Sequence, residues 1–551
     1  MKTMKTLMAL LLALTMVFAL AACGGSAEET AAPAAEEAAP AEAVAAAEPA
    51  EAAPVEQAAT QIATKKTADD TLVYAMTFSG QAFDPCNSVS DWTTTIYMTY
   101  ETLVSYDTQS GELVGLLADE WEIVDAQTLK FHLREGVTFT DGNPLTGEDV
   151  LYSWQRALNS VVHAANAALI DFDACEIDGQ NLTVKLTQPN ADFIYVLSGV
   201  GFCVESKAYV EEVGEDAFKL EPCGTGPYIL EDFVQGESIT YTRNDNYWGG
   251  TPKYQTVVIR PVMEEATRSI AFEAGEYDIA RISTNDSIAT LAGRESEGIY
   301  LAPTVGSTIY YVNLWDQSEI FSSRELRLAF AHAIDWNALN ESIWGEYALK
   351  PESALSTASP YYTEIGVYEY DPDLAKQYLA DGGYPDGYTI GIAVSASGND
   401  LAICEIMQAY LAEVGITLNI DTMDNQLARQ ASADGSHEVS IGQNTATTPA
   451  IGMIWSGQVA GSNSLLQEVH TDFEAGAKFQ ELMSDIAVEM DETKKAELTE
   501  EVQQLVYDEC LWIPVGQTYN VFAYYDYLEG AADAVNHAGF NSGWDIRDLF
   551  F

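Results

Sequence analysis

The chain has 551 residues, of which 25 are Lys or Arg and 84 are Asp or Glu, so its formal net charge at pH 7 is −59. A surface this acidic repels the phosphates of nucleic acids and the head groups of anionic lipids, which excludes both as binding partners. The length and the hydrophobic content of 47% are sufficient for two or three domains with cores of their own.

The N-terminus predicts export followed by lipid attachment. Two lysines precede the apolar run Leu7–Leu20, which is typical of a signal peptide over residues 1–22 and is too short to span a bilayer. Residues 20–23 (LAAC) resemble the lipobox of bacterial lipoproteins, in which the cysteine is acylated. The resemblance implies a lipid on Cys23 that anchors the protein at the extracellular face of the cell membrane, in the periplasmic or cell-wall space.

A polar tether is predicted next, over residues 23–70. Residues 24–64 contain no Lys or Arg and consist mostly of Ala, Glu and Pro. Such a segment cannot bury a core, so we expect it to be disordered.

The globular part is predicted to begin at residue 71, with a strand over residues 72–76. Residues 117–189 combine alternating strands at 129–133 and 182–186 with a helix, which begins at the capping-box pattern of Thr146 and Asp149. Three residues are predicted to share the apolar face of that helix: Val150, Trp154 and Leu158. The pattern indicates a small α+β subdomain.

The second half predicts parallel strands. Residues 390–394 alternate as a strand, a helix begins at Asn399 or Asp400, and residues 416–420 form the next strand. Strand, helix and strand within about 35 residues make a βαβ unit, which requires parallel pairing. A further strand is predicted at 439–441.

Two loops follow the ends of predicted strands. Ligands of open α/β sheets bind outside the carboxyl ends of the strands. The loops 78–92 and 442–456 occupy that position, and the second is polar and uncharged. We therefore expect these loops to line a ligand site.

Six cysteines remain after Cys23, and their spacing includes no CxxC pattern, which argues against a zinc site. Two alternatives stay open for them: a disulfide between Cys203 and Cys223, which flank one segment, or buried thiols. The six are Cys86, Cys175, Cys203, Cys223, Cys404 and Cys510.

Several blocks stand in order between about residue 71 and residue 525. They are Tyr100–Leu103, Leu116–Trp121, Leu129–Leu145, Gly224–Tyr228, Asn244–Gly250 and Arg324–Asp335. Together they resemble the large solute-binding proteins of peptide and nickel ABC importers. Each block also has a physical interpretation as a turn, a helix cap or a core segment, so the blocks identify the scaffold rather than the ligand.

The resemblance implies an α/β fold of the periplasmic-binding-protein type, a two-lobed clamp with a hinge between the lobes. Lobe I would comprise residues 71–110, 190–304 and 519–551, with residues 111–189 as an extra subdomain. Lobe II would comprise residues 305–518.

The implied function is transport rather than catalysis. The clamp would capture a solute, first of all a peptide, and deliver it to an ABC permease. The chain has no GxxxxGK[ST] phosphate loop, so the ATPase subunits would be separate partners. No cofactor is implied, and a monomer is expected.

Eight residues are predicted to line the ligand site, from the two loops and from polar or aromatic positions near them. They are Phe78, Trp92, Trp315, Asn444, Thr445, Trp455, Tyr519 and Asn520.

The ligand itself stays open at this stage. Peptide-binding members of the family place an aspartate after a strand of lobe II, where it pairs with the α-amino group of the peptide. The corresponding residues 443–448 contain no acid. Either another carboxylate supplies this charge, or the ligand is a blocked peptide or a glycan.

Metal binding and hydrolysis are the remaining alternatives. Nickel would need histidines, but the six in the chain show no HExxH pattern, and only His437 and His470 lie near the candidate loop. Residues 171–179 lack the glycine of a calcium loop. A cell-surface hydrolase would need a nucleophile or a carboxylate pair, and no GxSxG pattern is present. We therefore predict neither a metal site nor catalytic residues.

Overall fold

A computed structural model describes most of the chain after residue 69. The described residues are 70–76, 82–87, 93–107, 110–160, 162–350, 352–395, 399–424, 427–428, 430–431, 435–445, 450, 474–528 and 530–531. The chain divides into two compact units, Met1–Thr60 and Gln61–Phe551, and all described residues belong to the second. The predicted signal peptide, Cys23 and the tether up to residue 69 lie outside the described residues.

The strands of the described residues are numbered in chain order. They are β1 Thr71–Met76, β2 Val104–Asp107, β3 Glu112–Gly115, β4 Ala118–Asp125, β5 Thr128–Leu133, β6 Glu176–Asp178, β7 Asn181–Lys185, β8 Tyr228–Val234, β9 Ser238–Arg243, β10 Thr256–Pro261, β11 Ile279–Ile282, β12 Ile299–Leu314, β13 Ala348–Leu349, β14 Thr389–Ser395, β15 Thr417–Met423, β16 Val439–Thr445 and β17 Trp512–Tyr525.

The α-helices of the same residues are numbered likewise. They are α1 Thr93–Tyr97, α2 Gly147–Arg156, α3 Ala164–Ala167, α4 Phe193–Leu197, α5 Lys207–Val213, α6 Glu215–Phe218, α7 Glu265–Glu273, α8 Asn285–Leu291, α9 Arg324–His332, α10 Trp336–Trp344, α11 Pro372–Asp381, α12 Asp400–Glu413, α13 Glu474–Val488 and α14 Glu492–Asp508. Within the described residues, every helix is too short or too polar to cross a bilayer.

One mixed sheet runs through the described part of the molecule. It contains eleven strands in the order β15-β14-β16-β12-β17-β11-β1-β10-β9-β8, with β13 beside β17. The predicted βαβ unit is confirmed, because β14 pairs with β15 in parallel from Thr389–Thr417 to Ser395–Met423, and α12 connects them. Ile403, Met407 and Leu411 face the core from α12, as their spacing predicts.

The subdomain is also present as a four-stranded antiparallel sheet, β4-β5-β7-β6. Helix α2 packs on it and begins at a capping box, in which Thr146 and Asp149 each accept a hydrogen bond from the other's backbone amide. Val150 and Trp154 are buried as predicted. Leu158 is 41% exposed, because α2 ends at Arg156 and the chain tightens into a 3₁₀ turn.

The strands β12 and β17 connect the two ends of the large sheet. We use the predicted boundaries to name the first lobe (residues 70–304 and 519–531) and the second lobe (residues 305–518). Residues 299–305 of β12 pair with the part of β17 that joins β11, and residues 308–314 pair with β16. The register of β12 on β17 shifts between Val305 and Ile309. We call residues 304–309 and 517–520 the crossing segment.

Separate cores lie on the two sides of the crossing segment. In the first lobe, one core surrounds β1, β9 and β10, and another lies under the subdomain sheet. In the second lobe, helices α9 to α12 cover one face of the sheet, and α13 and α14 cover the other. The crossing segment is the covalent connection between these two sets of cores, which is the position of the hinge in a two-lobed protein.

All six cysteines after Cys23 are described, and each is a thiol in the structure. The alternative of buried thiols therefore holds for five of them, and Cys175 is half-buried. The disulfide between Cys203 and Cys223 is not formed.

Candidate functional site

The carboxyl ends of the parallel strands of both lobes meet at the crossing segment. In the first lobe, β1 is parallel to β10 and β11, and the last residue of β11, Ile282, pairs with Val521. In the second lobe, β16 is parallel to β14, and its last residue, Thr445, pairs with Thr308. This edge is where open α/β sheets bind ligands, so it is the candidate site.

Four of the eight predicted site residues lie at this place. Asn444 and Thr445 pair with the second-lobe side of residues 304–309, and Tyr519 and Asn520 pair with the first-lobe side. One part of the prediction was wrong: the loop after β16 does not begin at residue 442, because the strand continues to Thr445. Pairing with β12 decides this extension, which the polar sequence of these residues does not reveal.

Trp315 lies away from those four residues. It follows the far end of β12, and its backbone amide donates to the carbonyl of Glu438 at 2.8 Å. A strand rises roughly 3.4 Å per residue, so roughly 20 Å of strand separate Trp315 from Ile309. Its indole packs on Gly435, where a Cβ would lie only 2.1 Å from the ring. The structure thus gives Trp315 a packing role at a turn.

Phe78, Trp92 and Trp455 lie outside the described residues, and their place in the site stays a prediction. Ala450 is the one described residue between β16 and α13. It is 1% exposed and belongs to the core of the first-lobe subdomain. Ala450, which the predicted boundaries assign to the second lobe, therefore lies against the first.

Two arginines organise the first-lobe edge of the site. Buried Arg268 donates to the carbonyl of Arg281 at 2.6 Å and to that of Val262 at 2.5 Å, so it satisfies backbone acceptors at the ends of β10 and β11. Arg281 in turn donates from Nη2 to Oδ1 of Asn520 at 3.0 Å. Sequence reasoning missed both arginines, because a single cation in a helix or strand gives no pattern and only the strand register brings it to the edge.

The crossing segment is held by Gln517. This buried side chain donates from Nε2 to the carbonyl of Gly306 at 2.6 Å and to Oγ of Ser356 at 2.7 Å. Its Oε1 accepts from the backbone amide of Thr357 at 3.0 Å. The carbonyl in the irregular part of β12 therefore has a partner, which a buried polar group requires.

Charged residues from both lobes influence the pKa of Tyr310 on β12. Its ring packs against Trp344 with centroids 4.8 Å apart. The pKa of Tyr310 is raised to about 12, mainly by burial and also by the carboxylate of Asp400, while the guanidinium of Arg281 opposes the shift. Asp400 begins α12 just after β14. The candidate site thus combines a cation of the first lobe with an anion of the second.

A second polar centre explains why several sequence blocks occur together. Glu101, which is 1% exposed, accepts from Thr225 Oγ1 at 2.8 Å, from Tyr247 OH at 2.7 Å and from Trp248 Nε1 at 2.8 Å. The guanidinium of Arg134 lies 4.5 Å from the centroid of the Trp248 ring. Three blocks therefore meet at one buried carboxylate inside the first lobe, a fourth joins them through Arg134 on the Trp248 ring, and their role is structural.

One group of metal-ligating type occurs among the described residues, formed by Asp84, Cys86 and Glu205. Arg156 lies against it, in contact with Glu205, with Asp84 at 3.2 Å and with Glu215 at 2.5 Å. Burial raises the pKa of the Cys86 thiol well above its usual value, which keeps it protonated. The guanidinium already supplies the positive charge, so the donor set does not fit a metal ion.

The histidine near the candidate loop has a local partner. His437 Nε2 lies 2.9 Å from Asp421 Oδ2 on the neighbouring strand β15, and Nδ1 lies 3.1 Å from Oγ of Ser436. His470 lies outside the described residues. The described part of the chain therefore offers no histidine cluster for nickel.

Comparison with known proteins settles the family. Residues 112–463 match the family described as "Bacterial extracellular solute-binding proteins, family 5 Middle". The chain belongs to family 5 of the bacterial extracellular solute-binding proteins. This confirms the resemblance to the binding proteins of peptide and nickel ABC importers, and members of this family are substrate-binding transport proteins rather than enzymes.

Individual relatives of this family 5 protein are distant but match over most of their length. Heme-binding protein A of Haemophilus influenzae is 23% identical over 84% of this chain and 90% of its own. Glutathione-binding protein GsiB of Salmonella typhi is 26% identical over 76% and 82%. The periplasmic binding protein DppA of Helicobacter pylori, solved with the peptide STSA, superposes with a TM-score of 0.71 at 22% identity, over 86% and 97%. The predicted two-lobed α/β fold is thereby confirmed.

Proposed function

We propose that this protein is held by a lipid on Cys23 at the outer face of the cell membrane, and that it binds a short peptide with charged ends between its lobes. It then delivers the peptide to an ABC permease whose ATPase subunits are separate chains. Membership of family 5 supports the transport role, and the LAAC sequence supports the anchor. Relatives named for glutathione and dipeptides support a peptide ligand.

The observation that carries the peptide proposal is the pair of opposite charges at the candidate site. Arg281 on the first lobe donates to Asn520 of the crossing segment, and Asp400 on the second begins α12 just after β14. Both residues influence the pKa of Tyr310. A peptide in its ordinary ionised state carries one charge at each end. Closing the lobes removes these charges from water, so each needs a close counter-charge. Asp400 would then supply the acid that residues 443–448 lack.

The two protein groups suit the two ends of a peptide in different ways. The guanidinium of Arg281 can form two parallel hydrogen bonds to a carboxylate, which makes it the partner for the C-terminus. Asn520 Oδ1 already accepts from Nη2 of Arg281 at 3.0 Å and so orients this guanidinium. Asp400 is an acceptor for the N-terminal ammonium group.

Native mass spectrometry of protein purified without refolding tests the ligand class first. We expect a retained mass that fragments into amino-acid residues. A retained sugar, heme or metal ion would overturn the peptide proposal. Steady product formation from any of these by the purified protein would overturn the receptor role itself.

Calorimetric titration then tests the charge pairing, with tri-alanine, N-acetyl-tri-alanine and tri-alanine amide as probes. Tri-alanine is expected to bind at least about tenfold more tightly than either blocked form, a difference of about 1.4 kcal/mol. Asp400→Asn should abolish the discrimination against the acetyl group, and Arg281→Gln the discrimination against the amide. Equal binding of all three probes would contradict the proposed recognition of charged ends.

Matched controls lie away from the candidate site. Asp386→Asn changes an exposed acid before the amino end of β14, and Arg243→Gln changes a cation on β9 that pairs with Asp245. Both are expected to retain the affinity and selectivity of the unmodified protein. For the anchor, Cys23→Ala is expected to abolish labelling by radioactive palmitate and to release the protein from membranes. Retained membrane attachment would contradict a lipid on Cys23.

A further inference from the structure

The two lobes also touch each other away from the crossing segment. The turn between α13 and α14 of the second lobe lies against residues 190–195 of the first lobe. The backbone amide of Ala191 donates to the carbonyl of Ala487 at 2.8 Å. Helix α14 then runs back to the start of β17, at the end of the second lobe that is remote from the crossing segment.

A buried ion pair forms the centre of this contact. Lys495 Nζ lies 2.7 Å from Asp192 Oδ1, and the two residues are only 1% and 3% exposed. Lys495 Nζ also lies 3.2 Å from Glu492 Oε1, and the Tyr361 hydroxyl donates to Glu492. Two carboxylates thus surround one ammonium group at the border of the lobes.

The electrostatics of the contact depend on both lobes. Burial by itself would lower the pKa of Lys495, but Asp192 and Glu492 outweigh it and hold this pKa above its usual value. On the first-lobe side, the pKa of Tyr195 is raised to about 12, mainly by burial and also by Glu492 of the second lobe. Asp192 and Glu492 together therefore favour the charged state of Lys495.

We propose that the Lys495–Asp192 pair is a lock that permits the lobes to close in one arrangement only. This inference uses the hinged two-lobed fold and does not depend on which solute is bound. When the lobes separate, both charges return to water. When they close, each charged group loses its hydration and must form the ion pair with the other.

The lock determines how the two lobes are arranged when they close, and it adds little net attraction between them. The attraction within a buried pair is largely offset by the loss of hydration, so the intact pair leaves the open and closed states close in free energy. A single partner without the other is different, because the closed state then buries a charge that has lost its nearest opposite charge. Such a chain shifts its population towards the open state.

Hydrogen exchange of the Ala191 amide in the full-length, ligand-stripped protein measures this shift. The amide donates to the carbonyl of Ala487 across the contact, so the proposal predicts that it is protected while the lobes are closed. Lys495→Met and Asp192→Asn are each expected to accelerate its exchange about tenfold or more. The double variant Asp192→Leu with Lys495→Met is expected to exchange more slowly than either single variant, because neither charge remains.

The neighbouring lysine provides the matched control. Lys494 is 66% exposed and lies 3.8 Å from Glu489, so Lys494→Met is expected to leave the exchange of Ala191 unchanged. Amides of β14 and β15, inside the second lobe, report on global unfolding and should keep their rates in every variant.

Three results would overturn the lock. One is exchange of Ala191 within twofold of the unmodified protein in both single variants. Another is equal acceleration of the β14 and β15 amides, which would make the pair a simple stabiliser of the fold. The third is a double variant at least as fast as the two single effects multiplied. Failure of tri-alanine to bind would leave all these outcomes unaffected, so the two proposals can fail separately.

Discussion

The substitution Glu101→Ala removes a buried acceptor of three hydrogen bonds in the first lobe. The donors are Thr225, Tyr247 and Trp248. A buried donor that loses its partner costs about 1–3 kcal/mol. Thr225 is fully buried and bears this cost in full, whereas the other two are half-buried and recover part of it from water. We therefore expect the free energy of unfolding of the first lobe to fall by about 3–4 kcal/mol.

Urea unfolding followed by hydrogen exchange measures the two lobes separately, which is necessary because they need not unfold as one unit. Peptides from β1 and β10 report on the first lobe, and peptides from β14 and β15 on the second. Only the first set should lose protection at lower urea concentration. Glu122→Ala is the control, because Glu122 is 65% exposed and its nearest cation, Lys130, lies 3.8 Å away. A loss below about 1 kcal/mol for Glu101→Ala would refute the assignment of Glu101 as the shared acceptor.

Two further predictions concern a buried acid and a glycine. Burial raises the pKa of Glu205 to about 8 against the opposing charge of Arg156, which is shared with Asp84 and Glu215. The native state thus keeps a proton that the unfolded chain releases, so this contribution to stability is lost as pH rises from about 4.5 to about 8. Glu205→Gln should flatten that slope in urea midpoints at pH 5 and pH 8, and an unchanged slope would contradict the raised pKa. Gly435→Ala should destabilise the second lobe by about 1–3 kcal/mol, because φ is +67° and the Cβ would strike the Trp315 ring. Gly383→Ala, with φ of +87° and open space, shows the backbone cost alone, and equal losses in thermal unfolding would argue against this packing.

Local patterns predicted the elements whose structure depends on near neighbours. The strands and helix from β14 to β15 follow from alternation and helical spacing, and both are observed. The capping box of α2 is equally local, because Thr146 and Asp149 contact each other within one turn. Leu158 fits the same helical spacing, yet the helix ends before it. Spacing alone does not indicate where a helix ends.

The candidate site was only partly predictable. Loops after strands predicted the edge of the sheet at which Asn444, Thr445, Tyr519 and Asn520 lie, and their part in ligand binding stays a prediction. Trp315 was included as an aromatic residue that suits a blocked peptide or a glycan, but it follows the opposite end of β12. Arg281, Asp400 and Tyr310 share no sequence pattern, since they come from three separate elements.

The sequence by itself determined the class of protein, the α/β character and the family, and it predicts the lipid signal at Cys23. Each of these depends on composition, on short motifs or on the periodicity of neighbouring residues. Only the tertiary structure decided which distant residues meet, such as Lys495 with Asp192 across the lobes or Arg281 with Asn520 within the first lobe. These partners are more than two hundred positions apart. Their contact depends on strand register and on the approach of two separate cores, which no local pattern encodes.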